Sequence, residues 1–141
     1  MKKSKTIYIS AAAIIILIVV LIILFTNNTE NTLQSNRKTD DKNLLIGDWV
    51  RTDASYLIQI IRVNEDGNLE AQYFNPKPIN VGNANWEESH GSLKITVELR
   101  DVNYPGSTYT LSYLPERDVL AGDYYQAAQE LNFYVEFSRR K

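Results

Sequence analysis

One histidine, no cysteine and nine tyrosines set the range of chemistry open to this chain of 141 residues. Without cysteine there is no disulfide, no thiolate nucleophile and no cysteine-held zinc, and a lone histidine leaves any metal site almost entirely to carboxylates. That histidine, His90, stands in the turn sequence Ser89-His90-Gly91-Ser92, with no second histidine and no Ser-Asp pattern to make it a base. Glu87 and Glu88 are neighbours in a strand, so their carboxylates leave on opposite faces and cannot work as a pair. No catalytic signature remains, and the expectation is a protein that is not an enzyme and carries no metal and no cofactor. What remains is recognition chemistry. Tyr73, Tyr109, Tyr113 and Tyr124 fall on the inward parity of their strands, and each offers an apolar ring with a polar tip. Asp101, Asn103 and Tyr104 gather at one end of a hairpin, where they either fix a ligand at a rim or brace a turn.

The elements that must position these groups are strands. Leu93, Ile95, Val97 and Leu99 alternate with Lys94, Thr96, Glu98 and Arg100, a period of two that turns one face to a core. Tyr104-Pro105-Gly106-Ser107 reads as a type II turn, with proline setting φ and glycine accepting a positive φ, and Tyr109, Leu111 and Tyr113 return. Earlier, Gly47-Asp48-Trp49-Val50 and Tyr56–Val63 form strands. The second is taken with Leu57, Ile61 and Val63 inward, because the opposite phase would bury Arg62; this leaves Ile58 and Ile60 outside. Asp66-Gly67 makes a hairpin turn before Leu69, Ala71 and Tyr73, Pro76 and Pro78 break that strand, and short strands follow around residues 79–81 and 84–88. Strands over 119–126 and from Leu131 to Phe137 complete the pattern. The fold class is all-β: about eight antiparallel strands in meander order, closed into an up-and-down barrel.

Residues 1–25 read as a membrane anchor. The run from Ile7 to Phe25 is apolar apart from Tyr8 and Ser10, and as a helix it would span roughly 28 Å, close to the thickness of bilayer hydrocarbon. A cleaved signal peptide is the competing reading; the length of the run and the absence of a small-residue cleavage site favour the anchor. Lys2, Lys3 and Lys5 before it predict an N-terminus in the cytoplasm, a single pass of the inner membrane and an extracytoplasmic C-terminal domain. Residues 26–43 are polar except for Leu33 and read as a flexible linker. The barrel domain is then 44–141, with nine Lys/Arg against fourteen Asp/Glu. Its net −5 and lack of a basic stripe argue against nucleic acid as a partner.

Gly47-Asp48-Trp49 on the first strand of such a meander resembles the lipocalin, fatty-acid-binding and avidin group of barrels. The resemblance implies that Trp49 closes the barrel floor and that a basic residue after the last strand, Arg139 or Arg140, packs across it. Asp66-Gly67-Asn68-Leu69 through Tyr73 looks like the second hairpin of those barrels. The stretches Val97–Tyr113 and Leu120–Gln126 also resemble a set of small uncharacterised bacterial envelope proteins, a likeness that carries no activity. The functional expectation is a membrane-tethered, extracytoplasmic, lipocalin-like module binding a small apolar or aromatic ligand. Its candidate contacts are Tyr73, Asp101, Asn103, Tyr104, Tyr109, Tyr113 and Tyr124, with Gly47, Trp49, Pro105, Gly106, Arg139 and Arg140 as structural residues. The alternative is an interaction protein whose interior is filled by its own side chains and which contacts another envelope protein.

Overall fold

The computed structural model describes residues 11–141, with side chains described for 16–27, 29–30 and 41–141. The lysines at 2, 3 and 5 and the start of the apolar run at 7–10 lie outside the described residues. The chain divides into two units, Met1–Asp41 and Lys42–Lys141.

Helix α1 runs Ala11–Asn43. The polar stretch 26–43, expected as a coil, has helical backbone. It contains neither glycine nor proline, so nothing in it terminates a helix once one has been nucleated upstream. From Ala11 the apolar residues extend only to Phe25, about 22 Å of helix, before Thr26 and Asn27. No helix among the described residues is long and apolar enough to cross a membrane.

Nine antiparallel strands make up the second unit: β1 (Gly47–Arg51), β2 (Leu57–Val63), β3 (Leu69–Asn75), β4 (Lys77–Ile79), β5 (Val81–Ser89), β6 (Ser92–Asp101), β7 (Tyr104–Leu114), β8 (Val119–Gln126) and β9 (Leu131–Arg139). They form one sheet in the order β4-β3-β2-β1-β9-β8-β7-β6-β5. This is a meander curled until its first strand meets its last, with Trp49 opposite Arg139 and Arg51 opposite Phe137. The ladder is interrupted only between β4 and β5. There the wall is held at one end by a bridge between Asn68 and Asn85 and by the Trp86 amide donating to the Gly67 carbonyl at 2.8 Å. The result is a nearly closed barrel.

The alternation of β6 and β7 is realised directly: Leu93, Ile95, Val97, Leu99, Tyr109, Leu111 and Tyr113 are all buried. Strand β2 departs from its expected phase. Ile58 and Ile60 are 0% and 1% exposed, whereas Ile61 is 40% exposed. The pairing of β2 with β3 shifts register between Ile60 and Arg62, a β-bulge that inserts one residue and reverses the parity. Ile58, Ile60 and Val63 thereby all point inward while Arg62 stays in solvent, 3.4 Å from Glu70. The bulge removes the need to choose between burying Gln59 and burying Arg62, since the strand does not keep one phase.

The turn between β6 and β7 is also displaced from its expected place. Asp101 pairs with Tyr104, so Val102 and Asn103 form the turn, and Pro105 and Gly106 lie within β7. Arg100 pairs with Pro105 and Leu99 with Ser107, leaving Gly106 as the extra residue of a second bulge with φ +98°. Pro105 can occupy a strand here because β8 ends at Gln126, short of the position where the missing N–H would be needed.

One end of the barrel is closed around Trp49, which is fully buried and donates its indole N–H to the Leu45 carbonyl at 2.8 Å. The Arg139 guanidinium lies 4.1 Å from the centre of its ring. Arg139 also donates to the carbonyls of Ile46 and Leu44 and, through Nε, to both oxygens of Asp118. A Cβ at Gly47 would stand 2.7 Å from the Arg139 guanidinium, so a glycine is needed there for the arginine to reach across. Arg140 takes no part in this stack and faces Asp48 instead.

A tyrosine-lined cleft at the open end

The opposite end of the barrel collects Arg51 from β1, the start of β2, the end of β3, the β6–β7 turn and the β8–β9 turn. A cleft of about 340 Å³ opens there to solvent. Its aromatic lining is continuous. Tyr56 lies 6.4 Å from Tyr73, Tyr73 lies 5.5 Å from Tyr109, and Tyr109 stacks on Tyr124 at 4.4 Å with 23° between the planes. Phe133 continues the stack from Tyr124 at 6.4 Å, and Tyr104 meets Tyr73 edge-on at 6.3 Å. Strand parity explains the convergence: Tyr73, Tyr104, Tyr109, Tyr124 and Phe133 share the inward parity of their strands, and Tyr56, one residue before β2, continues the parity of Ile58 and Ile60.

The floor is the pair Tyr73 and Tyr109, whose hydroxyls lie 2.9 Å apart. Beneath them Phe137 packs edge-on against Tyr109 at 5.3 Å and the interior is filled. Burial pushes the Tyr109 phenol up to about 12 and raises Tyr73 further still, since a phenolate there would lose its hydration. Tyr124 is raised for the same first reason. These phenols are therefore neutral at ordinary pH and serve as hydrogen-bond donors and acceptors, not as bases. At the rim Asn75 donates to the Tyr104 hydroxyl, and Asn103 and Gln126 complete the polar margin.

Among the described residues lining the cleft, Arg51 is the charged one. Two places beyond Trp49 on β1, it shares the inward parity, and its side chain is only 13% exposed. The guanidinium lies 5.3 Å from the Tyr56 ring centre. Its Nε and Nη2 donate to the two oxygens of Asp53, at 2.6 and 3.1 Å. Burial works against its charge, but the bonds and fields of Asp53 and Tyr109 outweigh that and hold the group protonated.

Five of the residues expected to contact a ligand meet here: Tyr73, Asn103, Tyr104, Tyr109 and Tyr124. Asp101 does not line the cleft. Its carboxylate accepts from the amides of Val102 at 2.7 Å and Asn80 at 3.1 Å, bonds that lower its pKa, and it braces the turn. Tyr113 lies at the closed end, edge-on to Trp49 at 5.9 Å, with its hydroxyl donating to Asp118. Arg51, Tyr56, Asn75, Gln126 and Phe133 were absent from the sequence expectation. The signal for Arg51 was its two-residue offset from Trp49, and for Phe133 its place in the alternation of the last strand.

Among the described residues no group of three or more His, Asp or Glu is placed to hold a metal ion. Fold and site together define an all-β, nearly closed antiparallel barrel with one packed end and one open, aromatic-lined end. A scan against protein-family models finds no match, and searches of curated proteins and of solved structures find none either.

Proposed function

We propose that this chain is an extracytoplasmic, lipocalin-like binding module, tethered to the inner membrane through residues 7–25, that holds a small aromatic ligand in the open-end cleft. The observation that carries the reading is the cleft itself, about 340 Å³ with five tyrosine rings along its walls and floor. Its volume is at the lower end of small-molecule pockets, and its mixture of ring faces with a few polar tips is what such sites use to bury and orient a flat molecule. The tether rests on the length of the apolar run and the lysines before it. Phenols held neutral by burial suit hydrogen bonding to a bound molecule.

The filled interior below Tyr73 and Tyr109 supports a second reading, in which the barrel is a spacer that contacts another envelope protein. Non-denaturing mass spectrometry of the intact protein released from membranes separates the two. A small adduct lost on Tyr124→Ala supports the ligand-binding module; a stoichiometric partner chain with no adduct supports the second.

A further inference from the structure

We infer that the cleft selects its ligand by charge and that Arg51 makes it a site for compact aromatic carboxylates; this rests on the binding reading above and names the ligand class. The described residues lining the cleft carry one formal charge, and it is positive. An aromatic cage otherwise suits a cation, because ring faces are electron-rich, but a guanidinium already over the Tyr56 face fills that role and repels a second cation. An anion meets the opposite field.

The geometry suits a carboxylate in particular. A guanidinium carries five N–H donors in a planar fork, and the side-on pair with Asp53 uses Nε and one hydrogen of Nη2. Three of the five donors are not used by that pair, and a planar carboxylate accepts two parallel bonds from the edge of such a fork. Asp53 holds one edge of the guanidinium by two bonds, but its carboxylate is 62% exposed, so part of its own charge is screened by water. Arg51 itself is largely out of water, where the same interaction with a ligand is screened less. The ring of the ligand then lies along the Tyr109–Tyr124–Phe133 stack. The hydroxyl-bonded floor of Tyr73 and Tyr109 excludes a long chain, which limits the ligand to about one or two fused rings.

Isothermal titration calorimetry on the full chain in lipid nanodiscs, blanked against empty nanodiscs, tests this with three probes of matched shape: 4-hydroxybenzoate, 4-hydroxybenzamide and tyramine. The acid should bind at least tenfold tighter than the amide, and tyramine most weakly. Arg51→Gln should abolish the preference, bringing the affinities for acid and amide to within about twofold of each other, while Arg51→Lys, which keeps charge but loses the fork, should retain part of the preference. Thermal unfolding of both variants verifies that each is folded. Equal binding of acid and amide, or a preference that survives Arg51→Gln, overturns the role of Arg51 and leaves the aromatic cleft standing. Failure of all three probes to bind overturns the cleft reading and this inference with it.

Discussion

Replacing Trp49 by alanine tests the closed end of the barrel in a way that the structure makes quantitative. The ring is fully buried and touches three different kinds of partner: the Leu45 carbonyl, the edge of Tyr113 and the guanidinium of Arg139. Removing a large core aromatic costs about 3–5 kcal/mol. The Leu45 carbonyl loses its donor, and Arg139 loses a face worth about 0.5–2 kcal/mol. These contributions overlap, and a total of about 4–5 kcal/mol is a large share of the ~5–15 kcal/mol that holds a domain folded. For a unit of this size it corresponds to a fall in Tm on the order of 20 °C. The assay is urea unfolding followed by far-UV circular dichroism, with Trp49→Phe and Arg139→Gln alongside. The Phe variant keeps the ring and loses the N–H, so it should cost less than half as much as alanine. A double-mutant cycle between Trp49 and Arg139 should show a coupling of about 1 kcal/mol. A Trp49→Ala protein within about 1 kcal/mol of the parent would refute the role given to this cluster.

Gly122→Ala should be more damaging than its small size suggests, costing about 2 kcal/mol or more, because a Cβ there would lie 2.2 Å from the Thr110 carbonyl oxygen of the neighbouring strand; thermal unfolding measures it. Stability should fall in alkali. Tyr109 ionises near 10 when unfolded and only at about 12 when folded, so its contribution, about 2–3 kcal/mol, is complete below pH 10 and is lost as pH rises towards 12. Urea midpoints that do not decrease between pH 9.5 and 11.5 would show that the floor of the cleft is wet. Asn103→Ala changes the rim without touching the core, and should leave Tm within about 2 °C while weakening any ligand recovered with the protein.

How far the barrel could be read from sequence depended on whether its determinants were local. The strict alternation from Leu93 to Leu99 and from Tyr109 to Tyr113 specifies both strands and their buried faces, because parity alone decides which side chains leave water. The same parity rule misplaced Ile58 and Ile60, since a bulge reverses phase without requiring any marker residue, and the extra residue here is an isoleucine. At Pro105-Gly106 a true marker was present but ambiguous: a glycine with positive φ serves a turn and a bulge equally, and only the pairing of Leu99 with Ser107 decides between them. The cleft was legible in part. Its tyrosines follow from parity, but the inclusion of Arg51, Tyr56 and Asn75 depends on which strand ends meet across the barrel, and that is fixed by the β1–β9 closure between residues some ninety positions apart.

That closure also has a consequence for the order of events when the chain folds. Every other ladder in the sheet joins consecutive strands and can form as a local hairpin, one group over β1–β4 and another over β5–β9. Only the β1–β9 ladder requires a loop of more than eighty residues to be closed, and the entropy of that closure must be overcome before its hydrogen bonds contribute. On a chain made from its N-terminus, Trp49 therefore waits, its ring uncovered, until β9 has been synthesised and Arg139 arrives. The last ten residues act as the clasp of the whole domain, and a nascent chain halted before them would be two meanders that can meet at the Asn68–Asn85 bridge but cannot close into a barrel.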